Sequence, residues 1–233
     1  YRPETSNMPF HYRLLGKDRM ALYSFIHSLN TSFGTSIFEP VAIALTKEKF
    51  KNAVKQASVG HQISEEAHIV IQKILDGLTT GREEPNKRKE IEMIRAVCRS
   101  GKMNDVKPVK ADIFLEDYDG NKYLFDIKTA KPNIGNFKEF KRSLLEWVAI
   151  VLAQNPVTKV MTAIAIPYNP YEPKPYERWT VKGMLDLDEE LFVADEFWDF
   201  LGGVGVFNKI LDCFERAGIE LRTEIDQYFE KFK

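Results

Sequence analysis

Residues 108–128 read PVKADIFLEDYDGNKYLFDIK, and this stretch decides the fold. Ala111 to Glu116 and Lys122 to Lys128 alternate or are rich in β-forming residues, and Asp119-Gly120-Asn121 between them carries turn chemistry, which predicts a β-hairpin. Side chains alternate along a strand, so Asp126 and Lys128 project from one face while Ile127 points to the opposite, buried one. Asp112 joins that face only in one parity of register. A two-residue loop at Asp119-Gly120 puts it opposite Ile127, on the wrong side, whereas a three-residue loop pairing Tyr118 with Lys122 puts it opposite Lys128. The second register is expected, with a bulge at the glycine or asparagine.

Outward from the hairpin, helical spacing dominates. Upstream, Lys17 to Asn30 carries Met20, Leu22, Tyr23, Phe25, Ile26 and Leu29 as a core stripe, and further helices are expected around Phe38 to Leu45, from Ser64 to Leu78 with Ser64 as cap, and from Pro85 to Arg99. The first hundred residues therefore read as helical. Downstream, Phe137 to Leu152 is an amphipathic helix ended by Pro156, Val157 to Ile166 is a strand, and Glu189 to Phe232 is helical with breaks at Gly202-Gly203 and Gly218. This order predicts an α/β (α+β) fold with a small mixed β-sheet flanked by helices. A single domain over 1–233 is expected, with a helical lobe at 1–80, a core at 81–185 that includes the hairpin, and terminal helices at 186–233.

The 44% of apolar residues in 233 can fill a sizeable core. Lys and Arg number 33 against 34 Asp and Glu, so net charge selects no partner, and a nucleic-acid surface must arise from local segregation of charge. Cys98 and Cys213 lie in apolar helical patterns and read as buried thiols of a reducing compartment. With no membrane-length apolar run, and a start at Tyr1 without a secretory pattern, a trimmed or untagged cytoplasmic protein is expected. His11, His27, His61 and His68 lack zinc-ligand spacing, and Gly202-Gly203-Val204-Gly205 does not match a phosphate loop.

Two carboxylates on one face repel, and flanking Phe114, Leu124 and Phe125 make their joint ionisation costly unless a hard divalent cation lies between them. Mg²⁺ meets that need, held by Asp112 and Asp126 with Ile127, whose only donors are main-chain atoms. Mg²⁺ polarises a phosphodiester and activates a bound water. Lys128 adds a point charge that orients the water or stabilises the phosphate. Surface charge on a hairpin is the competing reading of D-x-K alone.

The hairpin resembles the PD-(D/E)xK nuclease motif, with Asp112 as the first acid and Asp126 and Lys128 as the second acid and lysine; Ala111 precedes Asp112, so the literal PD is absent. More narrowly, Phe125-Asp126-Ile127-Lys128-Thr129-Ala130-Lys131-Pro132-Asn133, running into a helix with Lys138, Lys141 and Arg142, resembles type II restriction endonucleases of the TdeIII type. The resemblance covers Pro108 to Tyr176. It implies a restriction-endonuclease-like core and a homodimer that cuts double-stranded DNA at a short palindromic site of the GGNCC kind. A repair or junction nuclease of the same fold, or a non-catalytic DNA-binding module, stands as the alternative.

Nucleases of this fold often add a carboxylate from a preceding helix. Glu90 lies on the packed arc of the Pro85 helix, where either metal binding or an ion pair with a Lys or Arg explains it; Glu66 is the weaker candidate. Lys110, Lys131, Lys138, Lys141 and Arg142 bracket the hairpin as phosphate contacts or as scattered surface charge. In the proline-rich loop after the strand, Asn169, Lys174 and Arg178 reach bases, or the loop packs its own tyrosines as a structural Ω-like element.

Overall fold

The computed structural model describes residues 8–107, 110–128, 136–177 and 183–231. Helices α1 (Pro9–Leu15) and α2 (Lys17–Ser32) lead through a π-helical turn at Phe33–Phe38 into α3 (Glu39–Leu45); then come β1 (Asn52–Ser58), β2 (Gln62–Ser64), α4 (Glu65–Thr79), α5 (Lys87–Val97) and β3 (Met103–Asp105). The hairpin is β4 (Lys110–Glu116) and β5 (Lys122–Ile127), followed by α6 (Phe137–Gln154), β6 (Val160–Ile166), β7 (Leu191–Val193), α7 (Asp195–Gly202), α8 (Val206–Glu220) and α9 (Arg222–Glu230).

One mixed sheet organises the chain, in the order β1-β4-β5-β6-β7; β1, β4 and β5 are antiparallel and β5, β6 and β7 parallel. Parallel pairing of β5 and β6 needs a long crossover, and α6 supplies it. Because β6 is covered on both faces, its sequence VMTAIAI is almost wholly apolar rather than alternating. On one face Ile71, Leu75 and Ile94 of α4 and α5 pack with Leu144 and Val148 of α6 against Leu124 and Ile164. On the other, Ala42, Phe197, Trp198 and Ile210 of α3, α7 and α8 cover Ile113, Leu115, Phe125 and Ala165. The expected mixed sheet between helical layers is thus observed.

Local chemistry sets the helix ends. Ser64 Oγ accepts the Ala67 N–H at 3.1 Å and donates to the Val97 carbonyl, so the cap of α4 also ties it to the end of α5. Asn86 Oδ1 accepts the Lys89 N–H at 2.9 Å and caps α5. Asp199 accepts the N–H groups of Gly205 and Phe207 and starts α8.

Several expectations are corrected. The first hundred residues are not all helical, because β1 forms an edge of the main sheet and β2 pairs with β3. β1 reads NAVKQAS and is mostly exposed, so it carries neither the apolar alternation nor the β-branched content that marks a buried strand. In α2 only part of the expected stripe is inside: Met20 is buried, whereas Leu22, Tyr23 and Ile26 are exposed. Cys98 is buried as expected, but Cys213 faces solvent from α8. Gly218 lies within α8, which ends at Glu220 instead. Among the described residues no helix is long and apolar enough to cross a membrane.

Ala194, between β7 and α7, has φ 50° and ψ −119°, a conformation that an L residue adopts only under strain. Its N–H bonds to the Ile166 carbonyl at 2.8 Å, which holds it there. Ala194→Gly is expected to raise stability by about 1 kcal/mol, the released strain exceeding the extra chain entropy of glycine. A urea-unfolding midpoint at or below that of the parent would show instead that packing of the buried methyl group dominates.

Candidate active site

β4 and β5 pair from Glu116↔Lys122 to Ile113↔Phe125. Continued by one step, this register sets Asp112 opposite Asp126, not opposite Lys128 as expected. The reason is a five-residue connection, Asp117 to Asn121. The Asp117 carboxylate organises it by accepting the N–H groups of Asp119 and Asn121, the Asn121 amide and the Tyr123 hydroxyl. An odd loop keeps the parity, so Asp112, Asp126 and Lys128 still share a face. Ile127 packs on the other, against the α3, α7 and α8 layer.

The two strands part at the acids. Lys128 N–H donates to the Ala165 carbonyl of β6, so the Ile127 N–H, one residue earlier, faces β4. There Asp112 Oδ2, not a main-chain carbonyl, accepts it at 2.8 Å. Lys128 Nζ lies 2.7 Å from Asp126 Oδ1 and 4.9 Å from the centre of the Phe140 ring, which lines the lysine with a π face from the first turns of α6. The Asp126 carboxyl is pushed up to about 7, first by burial and further by the neighbouring Asp112 charge, against the opposing pull of Lys128.

Two further residues, absent from the sequence reading, complete the cluster. Glu39, in the first turn of α3, is only 3% exposed, and Gln56 of β1 donates from Nε2 to Glu39 Oε1 at 2.8 Å and to Asp112 Oδ1 at 2.9 Å. Burial raises the Glu39 carboxyl; the Gln56 hydrogen bond lowers it, Asp112 raises it and Lys55 lowers it. The available signal was a lone acid inside the apolar run SIFEPVAIAL, where a charge needs a partner.

Glu90 belongs elsewhere. It forms a buried ion-pair network in which Lys141 Nζ bridges Glu90 and Glu190, each at 2.5 Å, while Lys87 Nζ meets the other oxygen of Glu190 at 2.6 Å. The ion-pair explanation of Glu90 is therefore the one observed, and Lys141, fully buried, offers no surface to a phosphate. Glu66 is exposed on α4.

The remaining basic residues are dispersed. Lys110 is exposed at the start of β4, Lys138 lies 3.6 Å from Asp76, and Arg142 donates to Gln72. Asn169 donates to the Lys174 carbonyl and accepts the Tyr171 N–H, bonds within the loop itself; the Lys174 side chain is exposed. Lys131 and Arg178 lie outside the described residues, as does Pro108.

As a donor set, the cluster is hard oxygen: facing carboxylates of Asp112 and Asp126 with the main chain of Ile127 between the acid and Lys128. Such a set suits Mg²⁺ and not a thiophilic ion. Among the described residues no three His, Cys, Asp or Glu side chains converge as a ready metal cage. The acids here form a pair, with Glu39 reaching Asp112 through the Gln56 amide. A pair fits Mg²⁺, which keeps several waters and is commonly held by one or two carboxylates.

Comparison with known proteins gives the same direction. A family model described as "Type II restriction endonuclease, HinfI" matches residues 1–218. The chain is 25% identical to the type II restriction enzyme HgiCII of Herpetosiphon aurantiacus over 221 residues, covering 93% of this chain and 80% of that protein. It is 30% identical to the type II restriction enzyme MjaII of Methanocaldococcus jannaschii over 235 residues, covering 88% of this chain and 61% of that protein.

Proposed function

Since the chain belongs to the HinfI family of type II restriction endonucleases, we propose that it hydrolyses double-stranded DNA with Mg²⁺ at a short palindromic site of the GGNCC kind, acting as a cytoplasmic homodimer. The observation that carries the chemistry is the convergence of Asp112, Asp126 and Lys128 on one face where β4 and β5 separate.

Asp112 and Asp126, with the Ile127 carbonyl, would hold the ion. When bound, Mg²⁺ supplies Lewis acidity to the phosphate and lowers the pKa of a water. The protein's own part is positional. The Ile127 N–H holds Asp112 Oδ2, so its carboxylate would not need to reorganise on binding. Lys128, held between Asp126 and the Phe140 ring, keeps an ammonium beside the place where the phosphate's charge rises, and can orient the attacking water by donating a hydrogen bond to its oxygen. Burial of Asp126 strengthens each of these interactions by excluding water. Lys110 and Lys174, both exposed, together with Lys138 and Arg142, are the described cations proposed to meet DNA phosphates; Lys131 and Arg178 extend that proposal.

Incubating the purified protein with a plasmid of known sequence and Mg²⁺ is expected to give discrete fragments that are absent in EDTA. A smear would redirect the reading to a nuclease without sequence choice, cleavage confined to branched DNA would indicate junction resolution, and intact plasmid would remove the catalytic proposal.

A further inference from the structure

We propose that Gln56 is a positioning residue that clamps Glu39 to Asp112 and thereby sets the affinity of the Asp112–Asp126 pair for a divalent cation; the inference rests on the nuclease reading for the cation's role. Gln56 has φ 52° in the middle of an edge strand. Apart from Ala194 it is the only non-glycine with positive φ among the described residues. The distortion is confined to one residue. β1 and β4 pair at Lys55↔Ile113 and again at Ala57↔Ala111 in the same register, so nothing is inserted and only the Gln56 step drops out of the ladder. A bulge would have shifted the register. Here the strand leaves its ladder at one point and returns.

That departure has one visible product. Nε2 of Gln56 lies 2.8 Å from Glu39 Oε1 and 2.9 Å from Asp112 Oδ1, so both hydrogens of one nitrogen go to anions. With Oδ2 held by the Ile127 N–H, Asp112 is fixed at both oxygens, and each retains a lone pair for a cation. A neutral amide suits the task. A lysine at this position would offset the negative charge on which the ion depends, and a hydroxyl cannot donate to two carboxylates at once. Strained backbone conformations persist where surrounding interactions hold them and cluster at functional sites.

Gln56→Gly separates the backbone conformation from the carboxamide's role, because glycine adopts positive φ freely and lacks the carboxamide. If Gln56 positions the acids, the glycine variant still folds, because relief of the backbone strain offsets the hydrogen bond that buried Glu39 loses. Its Ca²⁺ affinity, measured by calorimetry without DNA, weakens about tenfold, as expected when a group orienting a metal ligand is removed. The Mg²⁺ concentration for half-maximal cleavage rises by a similar factor, while KM for DNA stays unchanged. Gln56→Asn, too short to span both acids, behaves in the same way. Parental Ca²⁺ affinity in the folded glycine or asparagine variant overturns the proposal. A parent protein that binds Ca²⁺ but cuts no DNA removes the nuclease reading alone, whereas one that binds no divalent ion removes both.

Discussion

Alanine at Lys128 or asparagine at Asp126 is expected to slow DNA cleavage by about a thousandfold at saturating Mg²⁺, the scale seen when one preorganised charge is removed from a transition state. The two variants differ in how they affect folding. Asp126 is a carboxyl whose burial pushes it up to about 7, so at neutral pH the folded protein bears the strain of ionising it next to Asp112. Asparagine removes that strain, and Asp126→Asn is expected to melt at or above the parent temperature while losing activity. Strain at a site that is relieved by an inactivating change is the usual relation between function and stability. Lys128→Ala has the reverse effect on the fold, because it leaves Asp126 without its opposing charge. The Lys128 side chain is 28% exposed, so the stability loss is expected to stay near 1 kcal/mol. Lys128→Arg keeps the charge but not its compact shape, and partial activity is expected. Single-turnover cleavage of supercoiled plasmid, with melting curves on the same preparations, checks both effects. Normal cleavage by either inactivating variant would remove the residue from the site.

The hairpin was legible because its signals agree: β-rich strands, a turn with glycine and asparagine, and two acids and a lysine at spacings that place them on one face. Parity of the register could be argued from chemistry, but its value could not. The five-residue connection is set by the bonds of Asp117 to Asn121 and Tyr123, which no turn dipeptide announces. β1 was hidden because an exposed edge strand need not bury anything, and NAVKQAS has no pattern that separates it from a loop. Gln56 was hidden with it. Glu39 and Glu90 show the limit in another way. Both are acids on packed helix faces, and both need partners, yet sequence spacing does not tell which face meets the sheet end and which meets a buried lysine. Only the tertiary arrangement separates them: α3 brings Glu39 to Gln56, while α5 brings Glu90 to Lys141 of α6.

Lys141→Met is the substitution expected to damage the fold most, by roughly 3–5 kcal/mol, because it leaves Glu90 and Glu190 buried with only Lys87 to balance them. The network joins α5, α6 and the segment before β7, and Glu190 also accepts the Asp186 N–H, so the loss loosens three parts of the chain together. Burial alone would push the Glu190 carboxyl up, but the charges of Lys87 and Lys141 and the bonds both donate hold it below its ordinary 4.5. Burial pushes the Lys87 ammonium down, with Glu190 opposing. For Glu190 the folded value is the depressed one, so its stabilising contribution is complete above 4.5 and is lost as pH falls through the folded value. Acid unfolding of the parent should therefore show proton uptake below 4.5 that is diminished in Glu190→Gln. Replacing both partners distinguishes a structural network from a catalytic one. Glu90→Leu combined with Lys141→Met removes one charge of each sign and leaves the Lys87–Glu190 pair, so it should recover most of the stability lost in Lys141→Met alone. Because Asp112, Asp126, Lys128, Gln56 and Glu39 are untouched, the double variant should also cut DNA at the parental rate; a folded double variant without cleavage would return Glu90 to the catalytic machinery.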